Sequence, residues 1–278
     1  MKKIRKWLPP LLALAGGLLW FGNCAIQSTT IRVSSAALPT AFENLRISVI
    51  ADLHGRSFGK EHSLLLKAVR EQHPDLIALC GDLADENTKI ESLEPLLNGL
   101  REIAPVFYVT GNHEWVMKRE ERQALFSLLE KTQVKRLENR WQLVEKDGEA
   151  IVLAGVDDPN GPADQKKPAA LMDEIRAACG EETFVLMLAH RNDQLDLWAK
   201  LGADLVLSGH AHGGIVRLPG LGGVFGTHYE WFPEYTAGLY QKGETSMVLS
   251  RGLGGSKRLP LRINNRPEVL LVVLESGG

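Results

Sequence analysis

Short apolar runs closed by glycine or an acidic residue recur along this chain. They alternate with segments whose apolar residues fall at helical spacing. Arg46 to Ala51, Leu76 to Cys80 and Pro105 to Val109 are such runs in the first half, and Thr183 to Ala189 and Ala203 to Leu207 in the second. Each predicts a buried strand. Glu61 to Gln72 predicts a helix with Leu64, Leu65, Ala68 and Val69 on one face. Ile90 to Ile103, disturbed by Pro95, and Met117 to Lys131, Pro168 to Cys179 and Asp193 to Lys200 predict further helices. Trp141 to Glu145 and Ala150 to Val156, joined through Asp147-Gly148, read as a hairpin. Ser246 to Ser250 and Val269 to Leu274 read as closing strands. Strand–helix alternation of this kind places the chain in the α/β class.

A different pattern precedes it. Lys2, Lys3, Arg5 and Lys6 come before a stretch from Trp7 to Ile31 that carries no charge and has its apolar centre at Leu8 to Phe21. A bilayer span needs about 20 apolar residues and a secretory core roughly 7–15; this segment lies between the two. No small-x-small cleavage site follows Phe21, so residues 1–33 are expected to form an uncleaved signal anchor. Asn23 is a poor residue ahead of a lipidated cysteine, which argues against lipidation at Cys24. The basic flank stays in the cytoplasm. The expectation is a single-pass protein of the cell membrane, with everything after Ser34 outside the cytoplasm. Gln27 to Phe42 is mostly polar or small and contains Pro39. Residues 34–42 are expected to be a connector, and the folded domain to run over 43–278.

Composition narrows the classes. With 278 residues, 44% of them hydrophobic, the chain can bury a sizeable core. A net charge of -2 gives no basic field, so nucleic acid binding is not expected. Cys24, Cys80 and Cys179 lie far apart, which excludes both a disulfide framework and a zinc knuckle. Cys80 closes an apolar run and reads as a small buried hydrophobe.

Chemistry gathers where the predicted strands end. Asp52-Leu53-His54 follows the first strand, Gly81-Asp82 the second and Gly111-Asn112-His113-Glu114 the third. His190 follows a fourth strand, and Gly209-His210-Ala211-His212-Gly213-Gly214 a fifth. In open α/β sheets, sites lie beyond the carboxyl ends of strands. In extended backbone, residues i and i+2 point the same way, so His210 and His212 are expected to face a common site. Oxygen and nitrogen donors without thiolate suit manganese, iron or zinc and argue against a structural zinc site. Asp52, His54, Asp82, Asn112, His113, His190, His210 and His212 exceed the needs of one ion. Two ions about 3.5–4 Å apart can clamp an in-line displacement at phosphorus.

In this order, these motifs resemble the five-motif pattern of the calcineurin-like metallophosphoesterases over essentially everything after Glu43. The charge-free N-terminal stretch and the tail Ser250-Arg251-Gly252-Leu253-Gly254 resemble the membrane-associated bacterial branch. The resemblance implies two mixed sheets packed as a sandwich, with helices on the outer faces. It implies one divalent ion on Asp52, His54, Asp82 and His212, and a second on Asp82, Asn112, His190 and His210, with Asp82 bridging. His113 would stabilise phosphoryl oxygens or protonate the leaving group. Glu114 would orient His113; a surface or helix-start carboxylate is the equal alternative.

Arg191, directly after a candidate ligand, is the best of three arginines for gripping phosphate; Arg56 and Arg251 are the others. Asp157 and Asp158 read as turn residues, and His62 and His73 as surface residues. His228 reads as packing within an aromatic stretch. Trp231-Phe232-Pro233 is open to three roles: contact with lipid or an apolar leaving group, core packing, or a lid. The function expected is two-metal hydrolysis of phosphoesters, above all phosphodiesters, at the cell envelope. A lipid-linked nucleotide pyrophosphatase and a non-catalytic metal-binding envelope protein are the alternatives.

Overall fold

Alternation along the central strands separates two apolar surfaces, and each surface finds its own cover. The computed structural model describes residues 16–17, 21–227, 229–255 and 261–277. One mixed sheet holds, in spatial order, β1 (Gln27–Ser35), β14 (Glu268–Ser276), β2 (Arg46–Ile50), β3 (Leu76–Cys80), β4 (Val106–Val109) and β5 (Lys135–Arg136). The other holds β12 (Gly238–Lys242), β13 (Thr245–Leu249), β9 (Leu205–Ser208), β8 (Val185–Leu188), β7 (Glu149–Gly155) and β6 (Arg140–Lys146). β10 (Val216–Leu218) and β11 (Gly222–Phe225) form a separate antiparallel pair.

The two large sheets face each other. Leu76, Ala78 and Cys80 of β3 point into the layer between them and meet Leu186, Leu188, Leu205 and Leu207 of the opposite sheet. Ile77 and Leu79, one residue out of phase, pack outward on α1 (Ser63–Glu71), α2 (Glu94–Ile103) and α4 (Arg119–Lys131). Val185, Met187 and Val206 pack outward on α5 (Pro168–Cys179) and α6 (Leu195–Leu201). A period of two, apolar on both faces, is what a strand buried between two layers requires. The α/β sandwich and its outer helices are as expected, and Cys80 is fully buried. Pro95 lies in the first turn of α2, where its missing N–H costs no helical bond.

β2, β3 and β4 run parallel to one another, as do β7, β8 and β9. Each trio therefore opens its loops at one edge. The ladder continues into those loops: Asp52 N–H donates to the Gly81 carbonyl at 3.1 Å and His54 N–H to the Asp82 carbonyl at 2.9 Å.

Three departures from the sequence reading have clear causes. β1 takes up the end of the range read as the anchor, 1–33, and the start of the connector, 34–42; it pairs with β14 in parallel over its full length and buries Val33. Its polar residues face outward at the sheet edge, so composition hides the strand. The folded unit therefore begins ahead of residue 43, and the first turn of chain before β1 is also held: Asn23 and Arg262 exchange two hydrogen bonds, at 3.1 and 2.9 Å. Next, Asn112 and His113, placed after the third strand and ahead of a helix expected from Met117, open a short helix of their own, α3 (Asn112–Val116). Finally, the glycine-rich stretch from Gly220 to Gly226 carries β11, with β10 just before it, and the aromatic stretch from Tyr229 to Tyr240 runs into β12.

Among the described residues no helix is long and apolar enough to cross a membrane. Most of the apolar stretch at 8–21, and with it the anchor expectation, lies outside the described residues, as does His228.

Truncation tests the domain boundary. Removing residues 1–20 is expected to leave the urea unfolding midpoint unchanged. Removing residues 1–35 strips β14 of one of its two partners and is expected to cost about 3 kcal/mol or more, with aggregation through the bared strand edge. Equal midpoints for the two truncations would show that β1 is dispensable.

Candidate metal centre

The strand ends are held in a conformation that side chains rarely adopt. Asp52, His54, Asp82, His210 and His212 all have positive φ, between 50° and 73°. Such backbone is uncommon for residues other than glycine and clusters at functional sites. It also corrects the expectation for the GHxH stretch: His210 and His212 are not extended neighbours facing the same way. They diverge within one site. His212 lies with Asp52 and His54, and His210 lies with Asp82 and His190. In both groups the candidate donor atoms fall within 4.8 Å of one another.

Close packing of loops makes this possible. Gly81 has φ +82°, and a β-carbon there would lie 2.6 Å from the Gly111 nitrogen and 2.7 Å from His190 Nδ1. Only glycine fits.

Each buried carboxylate uses backbone N–H groups to set its direction. Asp82 Oδ1 accepts from His113 N–H at 2.8 Å. Its Oδ2 faces His190 Nε2 at 3.2 Å and His54 Nε2 at 3.8 Å. Asp52 accepts the His210 N–H at 3.0 Å and lies 3.8 Å from His212 Nε2. The histidines are oriented from behind. His190 Nδ1 donates to the Cys80 carbonyl at 2.8 Å, and His212 Nδ1 to the Gly254 carbonyl at 3.4 Å. Because a carbonyl only accepts, Nδ1 carries a proton in both rings, and Nε2, turned towards the carboxylates, is the atom left to bind a cation in place of a proton. A metal-ligating imidazole needs that tautomer. Asn112 Oδ1 joins the second group, 3.3 Å from His190 Nε2.

Electrostatics show what these donors lack. Burial pushes Asp52 up to about 7 and His54 down to about 4, and holds His212 well below its usual range. Burial also acts to raise Asp82, but His190 beside it more than reverses that and holds it well below the carboxylate range. His190, in turn, is drawn up to about 10 by Asp82 despite its own burial. The two aspartates differ because only Asp82 has an imidazolium within contact distance. His54 Nε2 is buried with no hydrogen-bond partner. Buried carboxylates, neutral imidazoles and an orphaned ring nitrogen fit divalent cations, and the absence of thiolate fits oxygen- and nitrogen-preferring ones.

Other residues have roles that the sequence reading missed or misplaced. Glu114 does not orient His113. It is fully buried, and it accepts N–H groups from Asp82, Leu83, Ala84 and Gly111 at 2.7 to 3.2 Å. It thus bolts the loop after β3 to the start of α3, the helix-start role. Burial and the Asp82 charge push it up to about 8, against the pull of those N–H groups. His113 Nδ1 instead lies 3.9 Å from Glu86 Oε2.

Asp158 is more than the turn residue expected: its Oδ1 accepts the Asn160 N–H and its carbonyl the Gly161 N–H, both at 2.9 Å. It is buried and grips Arg191 through both oxygens, at 2.5 and 3.0 Å. The third guanidinium nitrogen of Arg191 lies 3.2 Å from His210 Nε2. The available signal was position: Asp158 follows β7 as Asp52 follows β2. Arg262, also buried, donates to the carbonyls of His212, Gly254 and Arg251, and Asn265 donates to the His212 carbonyl at 2.7 Å. Arg56 donates to the Asn23 carbonyl and Arg251 pairs with Glu268 at 2.8 Å, so both serve the scaffold. His62 is buried, 3.3 Å from the Ser92 carbonyl, and not on the surface.

Comparison with known proteins places the chain in a family. The family model for calcineurin-like phosphoesterases matches residues 45–214. The chain belongs to that family. It is 28% identical over 265 residues to the uncharacterized metallophosphoesterase YkuE of Bacillus subtilis, covering 90% of this chain and 86% of that one. It is 31% identical over 234 residues to the phosphodiesterase YaeI of Escherichia coli, covering 82% of each. A bovine transmembrane protein with a metallophosphoesterase domain is 26% identical over 261 residues, which are 90% of this chain and 57% of that protein. The calcineurin-like phosphoesterase described here is therefore a metal-dependent hydrolase of phosphoesters, which sets aside the alternative of a non-catalytic metal-binding protein.

The Glu114 bolt can be tested without any assay of activity. Glu114→Ala leaves four buried N–H groups without their acceptor, and each orphaned group costs about 1–3 kcal/mol. A loss of at least about 3 kcal/mol in urea unfolding is expected. An unchanged midpoint would mean that the loops are held by other contacts.

Proposed function

We propose that this phosphoesterase hydrolyses phosphodiesters with two divalent ions, one held by Asp52, His54, Asp82 and His212 and the other by Asp82, Asn112, His190 and His210. One observation carries the reading: a single oxygen of Asp82 faces a histidine of each group. A carboxylate so placed is the natural shared ligand. The ions, drawn from manganese, iron or zinc, supply charge neutralisation at the phosphoryl group and a water nucleophile competent at neutral pH.

The remaining work falls to the chain. Water adds across one P–O bond of the diester, and the products are a phosphomonoester and an alcohol whose oxygen takes up a proton. His113 opens α3 beside Asp82 and His54, and its donor atom lies within 4.8 Å of theirs. It is placed to hold a phosphoryl oxygen or to deliver that proton. Arg191, clamped by Asp158, fixes the outer edge of His210. Its expected grip on phosphate is retained as a proposal for the one guanidinium nitrogen not bonded to Asp158. The similarity to the Escherichia coli phosphodiesterase supports a diester over a monoester.

The uncharged run at 8–21 behind a basic flank supports a membrane tether with the catalytic domain outside the cytoplasm. The similarity to the bovine transmembrane protein agrees with such a tether. A lipid-linked nucleotide, cleaved at its pyrophosphate, is the second reading of the substrate, favoured by the same run.

Three measurements test the assignment. Hydrolysis of bis(nitrophenyl) phosphate should require added manganese, vanish with chelator and exceed hydrolysis of nitrophenyl phosphate; a faster monoester reaction would overturn the diester reading. Manganese at a hundredfold excess over its dissociation constant should stabilise the wild type by about 2.7 kcal/mol. Asp82→Asn should lose most of that gain and nearly all turnover, and an unshifted response would remove Asp82 from the ligands. His113→Ala should keep both ions by metal analysis while losing about 10²–10⁴-fold in turnover. Loss of an ion instead would make His113 a ligand.

A further inference from the structure

Exposed apolar side chains are concentrated on one part of the surface. Among the described residues, six of the eleven large exposed hydrophobics are Phe21, Leu218, Leu221, Trp231, Phe232 and Ile263. Trp231 and Phe232 are 70% and 69% exposed, and Leu221 at the tip of the β10–β11 hairpin is 68% exposed. Backbone pairing joins these residues into one surface. Trp231 bridges Phe225 of β11, with ring centroids 5.1 Å apart, and Phe232 N–H donates to the Val224 carbonyl at 3.0 Å. Ile263 bridges Val216 of β10 on the other edge. Monomeric soluble proteins rarely leave contiguous apolar patches of this kind open without a partner.

Two neighbours say what the partner is. The first is the end of the uncharged N-terminal run. Phe21 lies under the Arg266 guanidinium, 4.8 Å from its ring centroid, and Asn23 is hydrogen-bonded both ways to the Arg262 backbone, next to Ile263. A run of uncharged residues with a basic flank therefore leaves the fold at this patch. The second is the site. The loop that carries Trp231 and Phe232 also contributes Gly226, Glu230, Pro233 and Tyr235 to a cleft shared with His210 and Asn192. Tryptophan and other amphipathic aromatic residues favour the membrane–water interface.

We infer that this patch, centred on Trp231 and Phe232, seats on a lipid bilayer and turns the His210 side of the catalytic cleft towards the membrane surface. The inference rests on the hydrolytic reading above and deepens it. The substrate class becomes a phosphoester with a lipid-anchored arm, taken from the bilayer without leaving it. The apolar arm stays in lipid beside Trp231 while the phosphoryl group reaches the cleft.

The full-length chain in phosphatidylcholine–phosphatidylglycerol vesicles provides the test. The emission of Trp231, isolated as the difference between wild type and Trp231→Phe, should be quenched by acyl-chain bromination; that of Trp141, isolated in the same way, should not. Trp231→Ser/Phe232→Ser should lower hydrolysis of an alkyl-chain nitrophenyl phosphodiester in the vesicles by at least about tenfold, with hydrolysis of soluble bis(nitrophenyl) phosphate unchanged. Unquenched Trp231, or equal losses on both substrates, would overturn the proposal. So would burial of the patch by a second copy, seen as a dimer abolished by the double substitution. Failure of the soluble substrate in the wild type would instead strike at the hydrolytic reading, while the quenching would still report on the patch.

Discussion

A carboxylate buried as deeply as Asp82 is expensive unless positive charge meets it at short range. Here that charge comes from His190, 3.2 Å from its Oδ2, with His54 on the other side of the same oxygen. Much of the molecule serves to hold this arrangement. Parallel strands bring the loops after β2, β3 and β4 to one edge, and β8 and β9 bring His190 and His210 to meet them. Glu114 ties two of those loops through their backbone, while the Cys80 carbonyl fixes the proton of His190. The ligands are thus pre-set by groups that never need to touch a substrate.

The price of that placement is local backbone strain. Five candidate ligands have positive φ, in a region that disfavours side chains. Surrounding contacts over-determine them: Arg262 and Asn265 both hold the His212 carbonyl, and the Asp52 and His54 N–H groups continue the β3 ladder. Strain that persists because its surroundings insist on it is typical of a binding site.

What could be read from the sequence followed from period and position. Both central trios of strands and the larger helices were legible because apolar alternation and helical spacing are local signals. The ligands were legible because acids and imidazoles stood after predicted strands. The turn of each ligand was not, since φ at Asp52 or His210 depends on which loops pack against it. β1 was hidden because an edge strand shows solvent on one face, leaving only Val33 to mark it. Asp158 looked like any turn residue, because its partner Arg191 is thirty-three positions away. Glu114 was placed beside the right residue for the wrong reason: sequence adjacency suggested His113, but its carboxylate reaches across to the loop after β3.

The central claim is that two ions share Asp82. Anomalous diffraction from crystals grown with manganese measures this directly. The account predicts two peaks about 3.5–4 Å apart, with the Asp82 carboxylate in contact with both, Asp52 and His212 on one ion and His190 and His210 on the other. A single peak, or two peaks of which only one touches Asp82, would contradict it.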